Sequence, residues 1–320
     1  MRFGIIGNSE KLAAREAAER LLHLLSTWEG ASCVLPEAYR IEGAKLPVTY
    51  AASLLDVARN SDIVFSLGGD GTMLTAARCI ISTNADAELV GVNLGRLGFL
   101  AENPPEELPL LIDELRESSL NIEDRTLLGA SLRSESAPQK GVRVRRNILE
   151  PDKENEIADA LSLIALNEIV VDNFGSTRML TLDITVDGSL LGTMRADGLI
   201  VATPTGSTGY AVSAGGPIIE PTSPVFVITA IAPHSLTARP IIVPDTCEIT
   251  VRITNDAESP ILVVADGQEE IIAEAPAIVT ISKLDKQLRL LRRSAASYFD
   301  LLRTKLLWSA DAREHGKGRW

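Results

Sequence analysis

Short apolar runs and helix-period stretches take turns over the first 118 residues of this chain, and that alternation constrains the fold more than any other feature. Arg2–Gly7 is a brief apolar run that ends in glycine, so it reads as a strand. From Ser9, an N-cap residue type, to Ser26, apolar residues recur at helical spacing (Leu12, Ala13, Ala17, Leu21, Leu24, Leu25). The same reading gives a helix over 50–60, a strand over 62–67, a helix over 73–81, a strand over 88–93 and a helix over 106–118. Strands that alternate with helices form a parallel sheet covered on both faces.

The pattern changes near residue 120. Residues 134–159 are polar and charged, with Pro138, Pro151 and a basic patch at Arg143, Arg145 and Arg146, and they read as an exposed insert. From Leu161 to about Arg292 the chain becomes strand after strand, rich in Val, Ile, Thr and Leu. Asp187–Gly188 and Asp266–Gly267 are hairpin turns within it. Residues 297–308 return to helical spacing and need an apolar surface to pack on, which the first domain offers. The expected fold is therefore an α/β domain over 1–125, a mostly-β domain over 126–292, and a helical tail over 293–320 that packs back on the first domain.

Composition sets limits on partners. The 320 residues carry a net charge of −12, so no global field favours nucleic acid or an anionic membrane. An anionic substrate would have to be met locally. Cys33, Cys79 and Cys247 lie far apart with no CxxC, which suits a reducing, cytoplasmic setting, and with three histidines they build no zinc pattern. No apolar run approaches the ~20 residues that span a bilayer, and the polar stretch from Asn8 to Lys11 breaks any signal-peptide layout.

Three segments carry chemistry. Gly68-Gly69-Asp70-Gly71-Thr72 sits between a strand and a helix, where glycines and a helix start cradle phosphate. It is neither a Walker A loop nor GxGxxG. Asp70 would repel a phosphate, so it serves an ion, accepts a proton from a hydroxyl nucleophile, or simply caps the helix. Asn167 and Glu168 open an apolar strand and offer an amide and a carboxylate suited to base edges and ribose hydroxyls; taken alone, an ordinary strand entrance explains them better. The third segment, Arg195 to Pro217, runs from a strand into a loop of small hydroxyls and glycines braced by Pro204. Its Gly206-Ser207-Thr208-Gly209 spacing is not a hydrolase elbow.

GGDGT, then Asn167-Glu168, then DGLIVATPTGSTGYAVSAGGP, in that order, resemble the NAD kinase family. So do Asn93-Leu94-Gly95, Leu97-Gly98-Phe99-Leu100, Ala232 to Leu236, Arg239-Pro240 and Ala265-Asp266-Gly267-Gln268. GGDGT alone is shared with lipid kinases. The resemblance covers most of residues 60–305, and the insert 134–159 and Asn173-Phe174 depart from it. It implies ATP-dependent phosphorylation of the 2′-hydroxyl on the adenosine ribose of NAD, with ATP as co-substrate and magnesium arriving on its phosphates rather than in a protein metal site. It implies Asp70 as the proton acceptor, also touching NAD with Gly71, and Gly68, Gly69, Gly71 and Thr72 as the phosphate loop. It implies Asn167, Glu168, Arg178, Arg195, Asp197, Thr208, Gly209, Tyr210, Ala211, Val212, Ser213 and Gln268 as NAD ligands. Phe99 would lie near the adenine, and Arg78, Arg178 and Arg195 would act on the anionic substrates. It also implies a homodimer or homotetramer whose NAD site borrows residues from a neighbouring subunit. A lipid kinase and a non-catalytic NAD(P) sensor are the alternatives, and the sensor would have no use for Asp70.

Overall fold

The computed structural model describes residues 1–41, 43–96, 98–134, 143–146 (backbone only), 162–254, 260–293 and 297–306. The chain forms two compact units: residues 1–76, 83–123 and 289 onward in the first, and 77–82 with 124–288 in the second.

The first unit begins β1 (Arg2–Gly7), α1 (Leu12–Leu25), β2 (Ser32–Pro36), β3 (Val48–Ala51), α2 (Leu54–Arg59) and β4 (Ile63–Gly68). It continues with α3 (Asp70–Ser82), β5 (Glu88–Asn93), α4 (Leu108–Arg116) and β6 (Asn121–Arg125). β1, β2, β4 and β5 are short, mostly apolar and mostly buried, as strands covered on both faces must be, whereas β6 is polar and largely exposed. β1 lies parallel to β2 and to β4, and β4 lies parallel to β5. Phe3, Ile5, Phe65, Leu67 and Val90 from the sheet meet Leu21 and Leu25 of α1 and Leu111 of α4 in one core.

The helix expected over 50–60 is corrected. Tyr50 belongs to β3, which pairs with β2, and the helix starts only after Ser53, whose hydroxyl accepts the amide of Asp56 at 3.1 Å. α1 likewise starts at Leu12 behind Lys11 and not behind a Ser9 cap. α3 begins at Asp70, three residues earlier than the periodicity suggests.

The second unit is a two-sheet β structure. It comprises β7 (Leu128–Ser134), β8 (Arg143–Arg146), β9 (Ser162–Ala165), β10 (Glu168–Asp172), β11 (Leu180–Val186), β12 (Ser189–Ala196) and β13 (Gly198–Ala202). After the short α5 (Tyr210–Ser213) come β14 (Val225–Ile231), β15 (Ile241–Pro244), β16 (Ile249–Ile253), β17 (Pro260–Ala265), β18 (Glu269–Glu274) and β19 (Ala277–Lys283). One sheet runs β15-β14-β13-β10-β17-β18-β8, the other β12-β11-β16-β19-β7-β9. Alternate residues of both face a shared core that includes Ile169, Leu199, Phe226, Val251, Ile261 and Val279. The two Asp-Gly turns are present, with positive φ at Asp187, Gly188, Asp266 and Gly267, as a tight hairpin requires.

Residues 134–159 are not wholly an exposed insert. β8 lies inside that range and pairs antiparallel with β18, Arg145 opposite Glu270. The other residues from 135 to 161 lie outside the described ones. The chain then returns to the first unit: β20 (Leu288–Arg292) pairs parallel with β5, and α6 (Tyr298–Leu306) buries Leu301 and Leu302. This is the expected return of the tail to the first domain. Trp308 lies outside the described residues.

Candidate active site

The first unit supplies Asp70. Its carboxylate does not cap its own helix. Oδ2 accepts the backbone N–H of Phe99 at 2.8 Å, and Oδ1 accepts those of Leu100 at 3.0 Å and Ala101 at 3.2 Å. The helix-cap reading is thereby replaced, since the side chain grips the loop after β5. That loop is shaped from below by buried Asn93, whose amide donates to the carbonyls of Arg96 and Ala101, both at 3.0 Å, and whose oxygen accepts the N–H of Gly95 at 2.9 Å. Gly68 is tightly confined by the side chain of Thr72, while a Cβ on Gly69 or Gly71 would meet nothing within 4 Å. Space is therefore open beside Gly69 and Gly71 at the start of α3, where a phosphate cradle needs it. Phe99 is half-buried, and the ammonium of Lys305 in α6 sits 4.1 Å from its ring centroid.

The second unit supplies Asn167 and Glu168 at the start of β10. The carbonyl of Asn167 accepts the N–H of Thr203 at 2.8 Å, and the Thr203 hydroxyl donates to the carbonyl of Leu166 at 2.6 Å. This ties the strand to the loop after β13. Gly206 passes so close to the Asn167 backbone that a Cβ there would overlap its carbonyl. Gly209 lies against the Glu168 carboxylate, where an added Cβ would stand 3.1 Å from Oε2. Glycine-rich sequence here is therefore a requirement of close approach.

Two acceptors at the start of β10 are orphaned. Asn167 Oδ1 and Glu168 Oε2 are buried, and neither meets a hydrogen-bond donor among the described residues. Buried polar atoms are rarely left so, and such atoms point to a ligand that completes them. Burial first, and then the Asp266 carboxylate, push the Glu168 carboxyl up to about 7, against the opposing backbone N–H of Tyr210.

The remaining expected NAD ligands divide by position. Thr208, Gly209, Tyr210, Ala211, Val212 and Ser213 form the turn and short helix beside Glu168, with Tyr210, Val212 and Ser213 exposed and Ala211 buried. Gln268 is buried, and its Oε1 accepts Nε of Arg78 at 3.2 Å. Arg178, Arg195 and Asp197 lie elsewhere, at the opposite end of the β10–β13 pair. Glu168 is opposite Ala202, whereas Asp172 is opposite Gly198. Asn173 joins them there, its N–H donating to the carbonyl of Asp197 at 3.2 Å and its amide to that of Arg178 at 3.4 Å. Four strand steps separate the two ends, about 13 Å.

Arg78 does not meet the expectation of a cation open to phosphate. It is 5% exposed and forms ion pairs with Glu269 at 2.6 Å and Asp266 at 3.6 Å. The sequence marks Asp266 as a turn residue and as part of the Ala265–Gln268 motif, with no role of its own, yet its carboxylate accepts three consecutive backbone amides, those of Leu166, Asn167 and Glu168.

A family model described as the ATP-NAD kinase N-terminal domain matches residues 3–119, and one described as the ATP-NAD kinase C-terminal domain matches residues 166–293. The NAD kinase of Bacteroides fragilis is 37% identical over 315 residues, covering 98% of this chain and all of that one. Among solved structures, yeast NADH kinase complexed with NADH has the same fold, with a TM-score of 0.81 at 22% identity over 97% of this chain and 89% of that chain. An NAD kinase from Archaeoglobus fulgidus in complex with ATP gives a TM-score of 0.68 at 25% identity over 96% and 97%. With both family models placed in order along one chain and a relative aligned over nearly its whole length, the protein is a member of the NAD kinase family.

Proposed function

We propose that this protein transfers the γ-phosphoryl group of ATP to the 2′-hydroxyl of the adenosine ribose of NAD, giving NADP and ADP. The observation that carries the reading is the pair of orphaned acceptors on Asn167 and Glu168. A ribose edge brings two hydroxyl donors to that spot and removes the cost of burying unpaired oxygens, about 1–3 kcal/mol each.

Phosphoryl transfer asks the protein chiefly for position and charge stabilisation. The new O–P bond forms at the 2′-oxygen as the bond from the γ-phosphorus to the β–γ bridging oxygen breaks, and the hydroxyl proton passes to Asp70. Oδ1 of Asp70 already accepts two amides and Oδ2 one, so Oδ2 keeps a lone pair for that proton. A carboxylate is a weak base and takes the proton only as the bond forms. The open space beside Gly69 and Gly71, with Gly68 and Thr72 shaping the turn, takes the ATP phosphates. Thr208 to Ser213 and Gln268 line the dinucleotide beside Glu168.

Among the described residues no group of three or more His, Cys, Asp or Glu is placed to hold a metal. We assign magnesium to the ATP phosphates, and no step to a protein-bound ion. Arg178, Arg195 and Asp197 stand too far along the β10–β13 pair to join Asn167 and Glu168 on the same ribose. They serve the dinucleotide of a neighbouring copy, in a homodimer or homotetramer. Among the described residues no helix is long and apolar enough to cross a membrane. Cys33, Cys79 and Cys247 are buried and form no disulfide, which suits a cytoplasmic enzyme.

The test is purified protein with ATP, Mg²⁺ and NAD, followed through an NADP-specific dehydrogenase. NADP formation that requires all three supports the reading, and its absence in folded protein overturns it.

A further inference from the structure

Arg78, Asp266 and Glu269, with Gln268 beside them, form a polar cluster, and the first three have no part in the proposed phosphoryl transfer. Arg78 Nε donates to Gln268, its guanidinium pairs with Glu269 and Asp266, and it lies within 3.4 Å of the carbonyls of Ile164 and Ala265. The side chains of Arg78 and Asp266 are 6% and 4% exposed. An ion pair buried this deeply contributes little net stability relative to apolar packing of the same volume. What it does provide is orientation.

The direction of that orientation is visible in the hydrogen bonds. Asp266 Oδ2 accepts Leu166 N–H at 2.9 Å, and Oδ1 accepts Asn167 N–H at 2.7 Å and Glu168 N–H at 3.2 Å. In return the Asp266 N–H donates to the Glu168 carbonyl at 3.1 Å. Asp266 reaches these amides because it sits in the β17–β18 turn at φ +52°, next to Gly267 at +65°. β10 pairs with β17 from Ile169 opposite Ala265 onward, so the residues Asp266 holds are those just where the ladder stops. Without it, Leu166 to Glu168 would have three amides to satisfy at the end of a strand, and only the contacts of the Leu166 and Asn167 carbonyls with Thr203 and the pairing of Glu168 with Ala202 would hold that backbone.

We propose that Asp266, braced by Arg78, is a positioning residue that fixes the backbone of Leu166 to Glu168 and so aims the Asn167 and Glu168 side chains at the ribose of NAD. The proposal rests on the NAD kinase reading for its ligand, but the backbone half of it does not.

The experiment compares Asp266→Asn and Asp266→Ala with wild-type enzyme that makes NADP. Asn retains one oxygen, enough for the two amides on Oδ1, but turns an NH2 toward Leu166 N–H; Ala retains nothing. Two readouts are taken. Amide hydrogen exchange at residues 166–168 in the free protein should quicken at least about tenfold in Ala and less in Asn. KM for NAD should rise in the same order, at least about tenfold in Ala, with KM for ATP changing less than about threefold. Exchange and NAD KM both within about twofold of wild type in the Ala variant would overturn the proposal, as would equal rises in the two KM values. If wild type makes no NADP, the substrate reading fails while the exchange data still decide whether Asp266 holds the strand start. Should Asp266→Ala not fold, Arg78→Lys carries the same two readouts. It keeps the charge and loses the fork, and the same selective rise in NAD KM is expected.

Discussion

Gly98 lies where a Cβ would overlap Oδ1 of Asp70. The carboxylate fills the volume that a side chain would need, and this lets the next three residues turn their N–H groups onto it. Gly98→Ala should therefore displace Asp70 and leave untouched the groups of the second unit proposed to bind NAD. The expected outcome is a fall in kcat of about 100-fold, the cost of a displacement near 1 Å, with NAD affinity retained in calorimetry. A kcat within threefold of wild type would mean that turnover does not depend on how Asp70 is held.

Asp70→Asn tests basicity more directly. The amide keeps one oxygen for Leu100 and Ala101 but turns an NH2 toward the Phe99 N–H, so the grip weakens as well as the base. Turnover should drop roughly 10²–10⁴-fold, the range for a lost general base, while NAD still binds. Steady-state NADP formation beside calorimetric NAD titration checks this, and near-normal turnover would remove Asp70 from the proton transfer.

Glu168 predicts a pH dependence. Its carboxyl is raised from 4.5 to about 7 in the folded protein. Between those values the folded state holds a proton that the unfolded chain has lost, so unfolding free energy falls as pH rises from 4.5 and levels off above about 7. Glu168→Gln should flatten that slope, leaving the variant roughly 1–3 kcal/mol better off relative to wild type at pH 8 than at pH 5. Urea melts across that range decide it; parallel curves for the two proteins would sink the assignment. On the proposed reading the carboxylate form accepts two ribose hydroxyls, so KM for NAD should fall between pH 6 and 8, and Glu168→Gln should lose that fall.

The insert provides a fourth expectation, altered by the structure. Replacing residues 136–157 with a short Gly/Ser link removes β8 and bares the edge of β18. Such an edge invites pairing with another chain. The shortened protein should still make NADP but should melt a few degrees lower and associate in light scattering at high concentration. Unchanged melting and unchanged size would mean that β8 contributes nothing.

The parallel strands were readable because residues buried on both faces leave solid apolar runs, and Ile63–Gly68 and Glu88–Asn93 fall close to where such runs place them. Tyr50 misled because β3 has only four residues, too few to show a period of two, and Leu54 and Leu55 follow at once. The start of α3 was hidden because Gly-Gly-Asp-Gly has poor helix propensity; the geometry there follows Asp70's hold on residues 99–101. At the site, Asn167, Glu168 and Asp70 were legible through the order of motifs. Asp266 was not, since Asp-Gly reads as a hairpin turn and the amides it holds lie about a hundred residues earlier. The separation of Arg195 and Asp197 from Glu168 is likewise a matter of strand register, and nothing in their sequence spacing reveals it.

β20 has a consequence for how this protein comes into being. Leu290 pairs with Leu89, and Arg292 just beyond it lies between Glu102 at 2.6 Å and Glu123 at 2.9 Å. The strand that finishes the first sheet thus leaves the ribosome only after the whole β unit has been made. Until then Arg292 has not reached Glu102 and Glu123, and the side of β5 that receives β20 waits open. Pairing across some two hundred residues is slow because loop closure comes before any reward. The nascent first half is therefore an aggregation-exposed intermediate, and the last step in building the parallel sheet is an event of the C-terminus.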